Sequence, residues 1–202
     1  MRLSKSQLSA TRKPKLCEKC KKETCLAQYS KLYEGNLDSG ILLIRYSVSE
    51  EEAQRNRLWC DDSGYHFRGM MDAYYKSVED ICTTTLVRCP HEKIAVRHLR
   101  NCRDKFDKLF AMRKWDLIIC SGRDALRHAF MRGGAPPALD VLAGRFVKMP
   151  ETGDSQITTI PDTASMCLLG AEDSVEEMQA RGQMMRECLN EMAKETGEIH
   201  GY

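Results

Sequence analysis

The chain has 202 residues, with 31 lysines and arginines against 29 aspartates and glutamates and an apolar fraction of 42%. This length favours a single domain over residues 1–202 with a full hydrophobic core, and the near balance of charge gives no argument by itself for a nucleic-acid partner. Because the sequence contains no apolar run of membrane-spanning length and no signal-peptide pattern, we expect an intracellular protein, cytoplasmic or nucleoid-associated, with no membrane partner.

The ten cysteines are irregularly spaced, and a reducing compartment would keep them free of disulfides. Single cysteines with apolar neighbours are expected to be small buried side chains; these are Cys60, Cys82, Cys120, Cys167 and Cys188. Cys17 and Cys20 instead form a C-x2-C pair in a basic N-terminal arm, residues 1–25. A pair with this spacing suits one metal ion or one cluster.

In chain order, short apolar or β-branched runs predict four strands, at 41–46, 81–87, 116–121 and 156–160. Apolar residues at helical spacing predict helices at 66–80, 93–113, 122–132 and 173–195. The Gly- and Pro-rich segment 133–155 predicts a long loop. Strands that alternate with helices indicate an α/β fold, with a short, mainly parallel central sheet in a three-layer α/β/α arrangement.

In such folds ligands bind at the carboxyl ends of the strands. Cys89 lies in the loop after the second predicted strand, and Cys102 follows in the next helix, so the geometry permits the two thiols to converge with the C-x2-C pair. Gly122 begins a helix directly after the third strand, where backbone N–H groups favour a phosphate and Arg123 adds positive charge. Ser165, after the fourth strand, is a further candidate contact to a phosphate.

Several motifs follow one another in a recognisable order: the C-x2-C pair, "LVRCP" after a strand, a cysteine in the next helix, and "WDLIICSGRDAL". In this order the chain resembles the iron–sulfur uracil-DNA glycosylases, usually called families 4 and 5. The segments "SGYHFRG" (63–69), "LAGRF" (142–146) and "ITTIPDTASMCL" (157–168) extend the resemblance over most of the chain. The resemblance implies a uracil-DNA glycosylase-like fold and a largely structural [4Fe–4S] cluster held by Cys17, Cys20, Cys89 and Cys102.

Zinc is the alternative metal, held by the same four thiolates or by three of them with an imidazole from His91 or His98. Cys25 lies close to the pair in sequence and is an alternative to Cys20 as a ligand. Four cysteines without any metal remain a further interpretation.

The resemblance also gives roles to residues of the base pocket. Phe67 matches the aromatic that stacks on a flipped base, and Thr85, Tyr46 and Ile160 stand where the family has its base-reading Asn, its acidic turn and its His. A hydroxyl does not present a separate donor and acceptor side by side as an amide does, and an aliphatic side chain donates nothing. Since losing one such donor raises the barrier by about 2.7–4 kcal/mol, we do not expect uracil excision by the usual mechanism.

Three functions stay open at this point. The first is a non-catalytic iron–sulfur module that binds DNA or another protein. The second is a DNA glycosylase that hydrolyses the N-glycosidic bond of another or modified base, with Asp61, Asp62 or Glu50 in acid–base roles. The third is a zinc-stapled α/β interaction protein unrelated to glycosylases.

Overall fold

The structure is a computed structural model that describes residues 28–91, 93–130, 143–162 and 175–197. The N-terminal arm, with Cys17, Cys20 and Cys25, lies outside the described residues, and so does Ser165.

Six strands form one mixed sheet in the order β1-β3-β2-β4-β6-β5. The strands are β1 (Glu34–Gly35), β2 (Ile41–Arg45), β3 (Cys82–Thr85), β4 (Leu117–Ser121), β5 (Val147–Lys148) and β6 (Gln156–Ile160). The central strands β3, β2, β4 and β6 are parallel, whereas β1 and β5 pair antiparallel at the two edges. The four predicted strands are confirmed, and the sheet is mixed because of these two edge strands.

Five α-helices accompany the sheet in the described part of the chain: α1 (Glu50–Arg55), α2 (Asp62–Tyr74), α3 (Val96–Phe110), α4 (Arg123–Ala129) and α5 (Val175–Glu195). Short 3-10 turns occupy Leu37–Ser39 and Pro150–Thr152. The prediction for 66–80 was wrong at both ends, because Asp61 caps the helix earlier and Tyr75 leaves the helical conformation. The predicted loop 133–155 was wrong where it includes β5 and the second 3-10 turn.

Successive residues of β2 enter two different hydrophobic clusters. Ile41 and Leu43 join a cluster that includes side chains of α2 and α5, whereas Leu42 and Ile44 join one that includes side chains of α3 and α4. Because neighbouring side chains of a strand point to opposite faces, the two clusters lie on opposite sides of β2. None of the helices in the described ranges is both long enough and apolar enough to cross a membrane.

Candidate functional site

The carboxyl ends of the four parallel strands meet at one edge of the sheet. In the strand register, Arg45 pairs with Thr85 and Ser121 pairs with Ile160. The chain runs from β2 to β3 on one side and later from β4 to β6 on the other, so the strand order reverses between β2 and β4. Such a reversal opens a crevice in which α/β proteins bind their ligands. The predicted base pocket belongs at this edge.

Phe67, the predicted stacking aromatic, is fully buried, at 0% exposure. Its ring centroid lies 4.7 Å from that of Trp59, with the two planes tilted by 30°. A base that is flipped out of a duplex needs an accessible aromatic face on which to stack. In this structure Phe67 offers no such face.

Arg45, the last residue of β2, is buried and forms an ion pair with Glu52 of α1, which is also buried. Its guanidinium carbon lies 4.2 Å from the centroid of the Trp59 ring, a cation–π contact. The Glu52 carboxylate also accepts from the backbone N–H of Trp59 at 2.6 Å and from that of Ser49 at 3.0 Å. We call Arg45, Glu52, Trp59 and Phe67 the Arg45 cluster. The positive charge of Arg45 is balanced by Glu52, and the rings of Trp59 and Phe67 are in contact.

Trp59 was not identified from the sequence as a site residue. Its backbone has φ +60°, in the left-handed region that residues other than glycine rarely adopt. Gly64 packs directly against it, since a Cβ at Gly64 would lie 2.4 Å from the Trp59 Cα. Glu52 did have a signal in the sequence, because Ser49-x-x-Glu52 is a capping-box pattern. The structure shows that capping box at the start of α1.

Thr85 and Ile160 lie at the carboxyl edge but are fully buried. The Thr85 hydroxyl donates to the carbonyl oxygen of Val87 at 2.9 Å. Its single donor is therefore used within the chain, and Ile160 has no polar side-chain atom. These two residues give little support to a base-reading role.

Tyr46 packs against the other hydrophobic cluster, and the structure does not bring it together with Phe67. Its ring stacks on the imidazole of His128, with centroids 5.4 Å apart and planes 18° from parallel. Burial is the main cause that raises the pKa of Tyr46, with Asp124 adding to it. Burial likewise lowers the pKa of His128, against the effect of Asp124.

The backbone N–H of Gly122, a predicted phosphate donor, donates instead to the carbonyl oxygen of Ile160 at 2.9 Å. Gly122 does lie at the N-cap of α4, with φ +83°, but that helix has only 7 residues. Arg123 is exposed at its first position. Of the predicted phosphate contacts, Arg123 alone presents an accessible group among the described residues.

The three candidate acid–base residues lie at helix N-termini, where carboxylates stabilise a helix. Asp61 is the N-cap of α2 and accepts from the Gly64 N–H at 2.8 Å. Asp62 is exposed in the first turn of the same helix. Glu50 is exposed at the start of α1 and accepts from Gln54 at 3.0 Å. Capping accounts for Asp61, and the other two face solvent.

Two of the four predicted metal ligands lie in the described residues. Cys89, after β3, and Cys102, in α3, are buried with 2% and 4% exposure. The rings of His91 and His98 stack with centroids 3.8 Å apart, and His98 lies one helical turn before Cys102. Within the described ranges no group of three or more His, Cys, Asp or Glu side chains is arranged to hold a metal ion. A centre that includes Cys89 and Cys102 would therefore need further ligands from outside the described ranges.

The chain that follows the C-x2-C pair runs next to Cys89. The backbone N–H of Tyr29 donates to the carbonyl oxygen of Arg88 at 2.8 Å, and the Thr84 hydroxyl donates to that of Leu32 at 3.0 Å. A chain spans at most about 3.3–3.6 Å per residue, and Cys20 precedes Tyr29 by only nine residues. Nine residues span at most about 32 Å, so the connection is long enough for the C-x2-C pair to reach Cys89.

No protein-family model matches this chain, and no curated protein matches it.

Proposed function

We propose that this protein is a uracil-DNA glycosylase-like iron–sulfur module that binds DNA and has lost base excision. Its architecture in this proposal is a three-layer α/β/α sandwich. The two hydrophobic clusters support that arrangement, since one includes α2 and α5 and the other includes α3 and α4.

The observation that carries the loss of excision is the Arg45 cluster. It occupies the carboxyl end of β2 with an ion pair and two aromatic rings, and its members are 0–4% exposed. A base pocket at this place would require Phe67 to separate from Trp59 and would leave the Arg45 charge beside the base. Trp59 is held in place because its backbone N–H donates to the buried Glu52 carboxylate at 2.6 Å, and Glu52 is paired with Arg45. The closed arrangement therefore favours a protein that does not accept a flipped base.

A [4Fe–4S] cluster held by Cys17, Cys20, Cys89 and Cys102 would tie the N-terminal segment to the middle of the fold. Its role in this proposal is structural. Zinc is the second candidate, held by the same four thiolates or by three of them with the imidazole of His91. Both ring nitrogens of His98 already accept hydrogen bonds, Nδ1 from the Ala95 N–H at 3.2 Å and Nε2 from the Arg97 Nε–H at 3.3 Å.

DNA is the proposed partner because exposed arginines follow one another on α3 and α4. Arg97 and Arg100 are exposed on α3, and Arg123 and Arg127 are exposed on α4. Arginine binds phosphate oxygens in a bidentate manner without reading the sequence. Such contacts give affinity that falls steeply with salt.

Excision is tested with duplexes that contain uracil, hypoxanthine or a modified pyrimidine, by measuring abasic sites. We expect no abasic sites on any of them. Excision of one of these bases, abolished by Asp61→Asn with the fold intact, would replace this proposal with a glycosylase of altered specificity.

Binding is tested by titrating a fluorescent duplex at two salt concentrations. We expect the double variant Arg97→Gln, Arg100→Gln to bind several-fold more weakly and with a smaller dependence on salt. Arg55→Gln, at an exposed arginine of α1, is the matched control and should bind like the wild type. Equal affinity of all three proteins would remove these arginines from the interface, and no binding at either salt concentration would refute the DNA-binding module.

A further inference from the structure

A cavity of about 220 Å³ is formed by α3, by His128 of α4 and by Leu86, which follows β3. Leu86 and Phe106 are buried, and both belong to the hydrophobic cluster that includes side chains of α3 and α4. Phe67 belongs to the cluster on the opposite side of β2. The cavity is therefore separate from the closed Arg45 cluster.

Arg103 of α3 presents a fixed guanidinium at this cavity. Its Nε donates to the Asp107 carboxylate at 2.7 Å, and its Nη1 donates to the carbonyl oxygens of His128 at 3.1 Å and Ala129 at 3.0 Å. The guanidinium carbon lies 5.1 Å from the centroid of the Phe106 ring, yet 40% of the Arg103 side chain is exposed. Because this planar cation is already held in place, it loses little conformational freedom when a flat group packs on it.

The rest of the lining combines apolar surface with positive charge. Val96 is 67% exposed and Leu99 is half-buried, and the exposed Arg100 borders the same cavity. Among the described residues that line it, none is acidic. Apolar walls beside basic side chains suit a ligand with a flat ring next to a negative charge, which is the chemistry of a nucleic-acid base and its phosphate.

The size of the cavity favours one part of a polymer over a free small molecule, because sites for small ligands measure about 300–1,000 Å³. Bases in a duplex are paired and stacked on one another, so their faces are not accessible. A single strand presents its bases, which stack on aromatic rings and on guanidinium planes. Arg100 is one of the proposed phosphate contacts, so a base in the cavity would lie next to a bound phosphate.

We propose that this cavity receives one unpaired base of single-stranded DNA, which stacks on the Arg103 guanidinium while the neighbouring phosphates bind Arg97 and Arg100. This inference rests on the proposed function and names the form of DNA that this face prefers. Binding then has two parts, a phosphate contact that any DNA makes and a base contact that only an unpaired strand makes.

The test uses the full-length protein and two short fluorescent strands of equal length, one made only of abasic nucleotides and one with a single central thymidine. The strands carry the same charge, so their affinities differ only by contacts to the base. We expect the wild type to bind the thymidine strand at least about fivefold more tightly, which is the lower end of what the stacking of one base contributes.

Arg103→Lys keeps the positive charge but removes the planar face on which a base stacks. This variant should bind the all-abasic strand like the wild type and lose the preference for the thymidine strand. Arg55→Lys is the matched control and should keep the preference, since Arg55 also forms an exposed i,i+4 ion pair, on α1. Val96→Ser removes an exposed apolar wall and should weaken the preference, whereas Met112→Ser, at another exposed apolar residue, should not.

Equal affinity of the wild type for the two strands, with duplex binding intact, would overturn this inference and leave the proposed function standing. A preference that persists in both Arg103→Lys and Val96→Ser would place the base elsewhere and would overturn it too. Should circular dichroism show that Arg103→Lys does not fold, Val96→Ser decides. Absence of binding to the duplex and to both strands would refute the DNA-binding module itself.

An acidic protein segment with one aromatic side chain is the other kind of partner that such a lining could bind. A glutamate-rich peptide with one phenylalanine therefore serves as a competitor. We expect it to displace the thymidine strand no better than the all-abasic strand does. Stronger displacement by the peptide from the wild type, lost in Val96→Ser, would assign the cavity to a protein partner and overturn the inference.

Discussion

At the scale of single residues, the carboxyl end of β2 is determined by a buried charge. Arg45 ends β2 in the interior, and a guanidinium there requires an anion close by. Glu52 provides it, and its second oxygen accepts from the Ser49 N–H at 3.0 Å. The ion pair thus connects the end of β2 to α1, the helix that follows.

Glu52→Gln should lower the free energy of unfolding by about 3–5 kcal/mol, because it leaves the Arg45 charge buried without its partner. The new amide would also place an NH2 group against the Ser49 N–H or the guanidinium. Urea denaturation measures the change. Glu51→Gln is the matched control, since the Glu51–Arg55 pair is exposed and such pairs contribute about 0–1 kcal/mol. Equal losses in both variants would show that the buried pair is not a stabilising contact.

His128 gives a prediction about pH. Its pKa is lowered by burial in the folded protein, so the unfolded state binds a proton more readily as the pH falls towards and below the ordinary value of about 6.5. The stability that neutral His128 contributes is present at pH 8 and is lost as the pH decreases through that value. His128→Gln should therefore lose less stability between pH 8 and pH 5 than the wild type in urea denaturation. A larger loss in the variant would show that protonation of His128 stabilises the folded protein, contrary to this prediction.

At the scale of elements, α1 and α2 begin at side chains that accept from the first turn. Ser49 and Glu52 form a capping box on α1, and Asp61 caps α2. Both signals are visible in the sequence, yet α1 was not predicted, because its 6 residues are too few for an apolar period to appear.

The four central strands were predictable since each is a short buried run. The two-residue edge strands β1 and β5 carry no pattern of their own and form only because a neighbouring strand offers free backbone groups.

Substitutions at Asp61 distinguish a structural role of this residue from a catalytic one. Asparagine caps a helix about as well as aspartate, whereas alanine does not. We expect Asp61→Asn to keep the wild-type stability and Asp61→Ala to lose about 0.5–2 kcal/mol, as measured by thermal or urea unfolding. Asp62→Ala, at an exposed neighbour in the first turn, should have a smaller effect. If Asp61→Asn and Asp61→Ala lose stability equally, the cap does not explain why an acid stands here.

The contents of the candidate site were only partly predictable. The sequence places Phe67, Thr85 and Ile160 at the correct edge of the sheet, because strand order and helix order determine which loops meet. Whether that edge is open depends on Trp59, whose left-handed backbone and contact with Phe67 result from packing between elements. No local pattern encodes such a contact. Tyr46 was assigned to the same pocket, yet one step along the strand turns its side chain to the other face.

At the scale of the whole molecule, the proposed metal centre takes ligands from two distant parts of the chain, the N-terminal segment and the region from Cys89 to Cys102. Residues 29–32 are held to β3 by hydrogen bonds from Tyr29 and Arg88. Metal ligation would add a covalent link between the N-terminal segment and α3 and would stabilise the fold by the free energy of metal binding. The protein should therefore melt at a lower temperature after the metal is removed.

We propose that Cys89 is a ligand of a metal that also binds the N-terminal cysteines. The most direct measurement is the metal content and visible absorption of anaerobically purified wild type, Cys89→Ser and Cys82→Ala. Cys82 is the matched control, because it is buried in β3 and burial raises the pKa of its thiol to about 12, so it is no thiolate near pH 7. We expect about four irons per chain and an absorption band in the wild type and in Cys82→Ala, with both lost in Cys89→Ser. Metal-free wild type, or full metal content in Cys89→Ser, would contradict the account.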